Sequence, residues 1–87
     1  MSKVIWKAPL QQEKTQVVTL PSVWRPLSFG NQEGTPVLWF ECDPRSDKKD
    51  RVVFLVFTGE EPPKDARFIG TATFGQGGFL VVHCYVK

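Results

Sequence analysis

His83 is the only histidine of this 87-residue chain, and Cys42 and Cys84 are its only cysteines. A Ser-His-Asp or Cys-His-Asn triad needs a histidine within hydrogen-bond reach of a nucleophile. His83 and Cys84 are neighbours in a run that reads as a strand, where consecutive side chains leave opposite faces, so they cannot form a thiol–imidazole pair. With one histidine and no CxxC spacing, neither a zinc site nor a disulfide framework can be assembled. Buried free thiols are expected, with a Cys42–Cys84 disulfide as the alternative. Asp43, Asp47, Asp50, Glu60 and Glu61 fall in charged segments expected to be solvated loops rather than acid–base pairs. Gly75, Gly77 and Gly78 could cradle a phosphate, but no Lys-Ser/Thr and no helix follow them, so a hairpin turn is expected. The chain is expected to be no enzyme and to use no cofactor.

What remains is the chemistry of recognition. Trp24 stands beside Arg25 on a bend between Pro21 and Pro26, where it could stack on a base or anchor an interface. Arg25, Lys64 and Arg67 are the candidate phosphate contacts, and His83 is a candidate ligand or partner contact if it is not simply hydrogen-bonded within a core or interface. Trp39, mid-strand among apolar neighbours, is expected in the core. Arg45, Lys48, Lys49 and Arg51 alternate with Asp47 and Asp50 and read as a solvated loop. The formal net charge of +2, from 11 basic and 9 acidic residues, names no partner and gives no reason to expect nucleic acid.

The elements that position these residues are strands. Seven prolines and seven glycines leave few windows long enough for a helix. β-branched and aromatic runs predict strands over residues 4–8, 16–20, 25–29, 36–42, 51–57, 67–74 and 79–86, with turn chemistry between them. The expected fold is therefore all-β, one domain over residues 1–87, an antiparallel sandwich or small barrel of about seven short strands. The longest apolar stretch, residues 52–57, is far too short to span a bilayer as a helix, and the amino-terminal run breaks after three apolar residues, unlike a secretory signal. A cytoplasmic setting without membrane contact is expected. The segment 60–65 is too long and proline-rich for a tight hairpin and is expected to cross between sheets or to hold one turn of 3₁₀ helix.

Side-chain alternation exposes an excess of apolar surface. In residues 51–57, Val52, Phe54 and Val56 share one face and Val53, Leu55 and Phe57 the other, so both faces are apolar. The last strand repeats this pattern, and 36–42 does so in large part. A second covered surface follows, provided either by the amino-terminal hairpin or by another subunit of a homo-oligomer.

Ile5-Trp6-Lys7-Ala8-Pro9-Leu10, Val18-Thr19-Leu20-Pro21, Thr35-Pro36-Val37-Leu38-Trp39, Phe68-Ile69-Gly70-Thr71 and Gly77-Gly78-Phe79-Leu80-Val81-Val82-His83 occur in this order along the chain. This series resembles a family of small bacteriophage and prophage proteins of unknown function. Where relatives carry Gly-Thr-Gly-His, this chain has Phe57-Thr58-Gly59-Glu60, so no role for that histidine transfers. The resemblance implies a short accessory protein acting in the host cytoplasm during infection. The expected function is counter-defence by sequestering a nucleotide-derived signal or masking a host defence protein. Direct inhibition of a host nuclease or effector complex, and a minor structural or assembly role in the virion, are the alternatives.

Overall fold

A computed structural model describes residues 2–87. Met1, which opens the amino-terminal run read above as no signal, lies outside the described residues. The strands are β1 (Val4–Pro9), β2 (Thr15–Pro21), β3 (Trp24–Gln32), β4 (Thr35–Cys42), β5 (Lys48–Phe57), β6 (Arg67–Phe74) and β7 (Leu80–Val86). A single 3₁₀ turn, Gln76–Gly78, precedes β7. All seven expected strands form, and they make an open two-sheet sandwich rather than a closed barrel. One sheet has the order β1-β4-β3 and the other β2-β5-β7-β6, every pairing being antiparallel.

The turns follow from residue chemistry. β3 and β4 are joined through Glu33 and Gly34, both at positive φ, in the two-residue geometry whose twist matches that of the flanking strands. Asn31 fixes this turn by accepting the Gly34 N–H on its side-chain oxygen at 2.7 Å, while its amide donates to the Thr73 carbonyl of β6 at 3.0 Å. The β2–β3 and β4–β5 turns are bound to each other. Ser22 N–H donates to the Asp47 carbonyl, Asp43 N–H donates to the Val23 carbonyl, and Val23 N–H donates to the Ser46 hydroxyl. Asp43 departs from the expectation of a solvated loop carboxylate. It is 6% exposed, and its Oδ1 accepts the Arg45 N–H at 3.0 Å, so the charge serves to satisfy a turn donor.

The segment 60–65 also differs from both expectations: it neither changes sheet nor forms a 3₁₀ turn. β5 and β6 belong to the same sheet with β7 between them, so the connection passes over the position of β7. β7 begins one residue later than expected, because Gly77 and Gly78 hold positive φ and Phe79 follows in a helical conformation. Phe79 is left 86% exposed.

The core lies between the sheets. Leu38, Phe40 and Cys42 of β4 and Phe29 of β3 face Leu20, Val53, Leu55, Val82, Cys84 and Val86 of the other layer. Both thiols are free and buried. The layers approach most closely along β3 and β6, where Gly70 lies against Phe29: a Cβ on Gly70 would sit 3.5 Å from the Phe29 backbone nitrogen. Trp39 corrects a further expectation. Its chain neighbours Leu38 and Phe40 take the inner face, so the indole leaves on the outer face, half-buried over Gly30. A Cβ on Gly30 would come within 3.2 Å of the Trp39 ring.

The amino-terminal strands cover neither outer face. β1 pairs beside β4 in one sheet and β2 pairs beside β5 in the other. The outer side of the four-stranded sheet therefore carries Val17, Val52, Phe54, Val56, Val81 and Tyr85, and none of the described strands lies across it.

Candidate functional site

One end of the sandwich is closed and the other is open. At the closed end Trp24 packs edge-on against Phe40, with ring centroids 6.2 Å apart. Arg51 of β5 lays its guanidinium 5.6 Å from the Trp24 centroid. At the open end the two layers enclose a cleft of about 430 Å³. That volume lies within the range of small-molecule sites, which are largely apolar with a few placed polar groups.

Strand register builds the cleft. Leu55 and Phe57 of β5, Phe74 of β6, and Leu80 and Val82 of β7 extend the inner face beyond the last core layer, and Pro36 supplies the opposite wall. The rim is held by hydrogen bonds. Gln16 of β2 reaches back to the 11–14 loop, its side-chain oxygen accepting from Gln11 N–H at 2.8 Å and its amide donating to the carbonyls of Gln11 and Glu13. The Lys14 carbonyl accepts the Leu55 N–H at 2.8 Å, and Leu10 N–H donates to the Pro36 carbonyl at 2.8 Å. This loop thus brings the Lys14 ammonium over the mouth, 5.3 Å from the Phe57 ring centroid. Glu60 completes the rim. Gly59, at φ 97°, turns the chain so that Glu60 Oε1 accepts the Phe57 N–H at 2.8 Å and Oε2 pairs with Lys14. The Lys14 hydrogen bond, and after it the Phe57 N–H, hold the Glu60 carboxyl below its usual pKa.

None of the five residues anticipated as contacts lines this cleft. Trp24 is half-buried at the closed end, where Phe40 and Arg51 occupy its ring. Arg25 is exposed on the outer face of the three-stranded sheet, 3.5 Å from Glu41. Lys64 and Arg67 are exposed in the β5–β6 connection and at the start of β6. His83 sits on the outer face of the four-stranded sheet, with Nε2 2.9 Å from the Thr58 hydroxyl and Nδ1 2.8 Å from the Thr71 hydroxyl. Sequence reasoning missed Lys14, Phe57, Phe74 and Leu80. Their one signal was apolar inner-face positions at strand ends, and recognising a cleft there requires the offset between the two sheets.

Among the described residues no set of three or more His, Cys, Asp or Glu side chains could hold a metal ion. No helix among them is long and apolar enough to cross a membrane. A family model of a domain of unknown function matches residues 1–87, the whole chain. The chain belongs to the DUF7352 family. Comparison with curated proteins and with solved structures finds no match. In this DUF7352 chain the two layers form an open sandwich, closed at one end by Trp24 and Arg51, with an apolar cleft at the other.

Proposed function

We propose that this DUF7352 protein is a non-enzymatic binding protein that takes a small amphiphilic molecule, an aliphatic or aromatic body with an acidic head, into the cleft between its sheets. The observation that carries this reading is the pairing of six apolar side chains with one ammonium, that of Lys14, at a mouth whose lining also includes Glu13. The body would bury against Leu55, Phe57, Phe74, Leu80 and Val82, at about 25 cal/mol per Å² of apolar surface removed from water. An acidic head would replace Glu60 as the partner of Lys14, an exchange of one carboxylate for another at an exposed site.

This chemistry does not favour a nucleotide. The cleft offers one ammonium and no guanidinium, whereas Arg25, Lys64 and Arg67 lie elsewhere. In the phage setting that the sequence resemblance implies, the protein would act by withholding such a molecule from the host.

Medium-chain carboxylic acids, arylacetic acids, the corresponding alcohols and a panel of cyclic and linear nucleotides form the test set. Binding of an acid at 100 times its dissociation constant should stabilise the fold by about 2.7 kcal/mol. It should also move the methyl resonances of Leu55, Leu80 and Val82. Lys14→Met should weaken the acids about tenfold and leave the alcohols unchanged. Stabilisation by nucleotides alone, or no methyl shift with any compound, overturns the reading.

A further inference from the structure

We propose that the outer face of the four-stranded sheet packs against the same face of a second copy of this chain. Its side chains form continuous cross-strand rows. Val17 pairs with Val52, Phe54 with Tyr85 and then Phe68, and Val56 with His83 and then Thr71. Phe68 and Tyr85 meet edge to face with centroids 5.4 Å apart. Val17 is 62% exposed and Phe68 53%. These apolar groups are set towards water although the chain has polar residues to spend there.

Three features single out a second copy as the occupant. The first is charge. A two-fold contact sets a patch against itself, so any net charge on the patch repels its own image. Among the described strand residues, alternation puts charge on this face only at one end, on Lys48, Asp50 and Lys87; the Lys48 ammonium lies 5.2 Å from the Trp6 ring centroid, and Asp50 accepts a hydrogen bond from the Thr19 hydroxyl at 2.7 Å. The second is hydrogen bonding. The histidine at its centre has both ring nitrogens already bonded to threonine hydroxyls, so covering the face leaves no imidazole nitrogen without a partner.

The third is area. Four strands averaging about eight residues, spaced about 4.8 Å apart and rising about 3.4 Å per residue, give a staggered face of roughly 500 Å² in projection, and its corrugation by side chains adds accessible area. A standard interface needs about 600 to 800 Å² per partner. The chain exposes 5651 Å² in all. A self-contained monomer of its mass exposes about 5200 Å². The surplus, on the order of 450 Å², is comparable to the projected area of this face.

This inference is independent of the cleft, which opens between the sheets and stays accessible in the pair. Sedimentation velocity across a micromolar to hundred-micromolar series should show the mass rising from 9.9 kDa towards twice that value. Val17→Lys and Phe68→Glu should each weaken association at least about tenfold without loss of the β-sheet circular dichroism signal, while Phe79→Ser should not. Dilution of the unmodified protein should move the methyl resonances of Val52, Val56 and Val81 but not those of Val53 and Val82, a readout that requires no variant. A single-copy mass at hundred-micromolar concentration overturns the proposal. So does association that survives both charge substitutions in folded protein, or a foreign protein bound to this face of a monomer.

Discussion

The Arg51 guanidinium lies 5.6 Å from the centroid of the Trp24 ring. The stacking role that Trp24 could offer a base is thereby filled from within the chain. Arg51 Nε is enclosed without a hydrogen-bond partner, so its side chain contributes by covering the indole and not by polar bonding.

Trp24 should accordingly matter for stability more than for binding. Removing a half-buried indole that packs on Phe40 should cost about 2 to 3 kcal/mol, somewhat less than the 3 to 5 kcal/mol typical of fully buried aromatics. For a domain of this size, that lowers the melting temperature by roughly 10 to 20 °C. Arg51→Met keeps the apolar cover and removes an unpaired donor, so it should change stability by less than about 1 kcal/mol. Chemical denaturation of both variants checks this. Trp24→Ala with unchanged stability would show that the indole is not part of the packing.

Glu60 should titrate below the ordinary glutamate range. Lys14 and the Phe57 N–H stabilise its charged form in the folded state only. Because the folded pKa is depressed, the contribution is present above the unfolded carboxylate range and is lost as pH falls through the lower folded value. Carbon-detected NMR titration should place the Glu60 midpoint below the ordinary glutamate value. Lys14→Met should return it most of the way to the ordinary value, leaving only the effect of the backbone donor.

Burial pushes both thiols up, that of Cys84 to about 12. Its neutral form is favoured in the fold, so the stabilisation is full below the unfolded thiol pKa and is lost as pH rises from there towards 12. At pH 8 a disulfide reagent should label neither Cys42 nor Cys84 in native protein, yet both should react at once in denaturant. Fast labelling of native protein would show that the core opens well below the cost of global unfolding.

The strands and their two-faced character were legible from alternation alone, because a period of two is local: Val53 and Leu55 against Val52, Phe54 and Val56 can be read without knowing any partner strand. What alternation cannot assign is which face meets which layer. Trp39 looked like core because its neighbours are apolar, but with Leu38 and Phe40 both inward the indole had to leave on the other side. Asp43 looked solvated because it opens a charged loop, and it is buried by a turn from a different part of the chain. The cleft was out of reach for the same reason. Lys14 meets Phe57 and Glu60 only after β2 pairs with β5 and brings residues 14 and 60 together.

Gly70 should tolerate alanine but not larger residues. A Cβ there would lie 3.5 Å from the Phe29 Cβ and backbone nitrogen, an ordinary contact, and Gly70 is not at positive φ. Alanine also costs the unfolded chain freedom, so Gly70→Ala should be neutral or stabilising, by up to about 1 kcal/mol. Valine adds two γ-methyl groups where the β3 backbone already stands against β6, and backbone cannot swing aside as a side chain can. Gly70→Val should therefore force the sheets apart along the β3–β6 seam and destabilise by about 1 to 3 kcal/mol, as over-packed cores do. Hydrogen exchange would locate the damage: Asn31 anchors the same seam through the Thr73 carbonyl, so faster exchange should be confined first to the Asn31 side-chain amide and the ends of β3 and β6. Equal stability of the alanine and valine variants would show that the two layers are not in contact at Gly70.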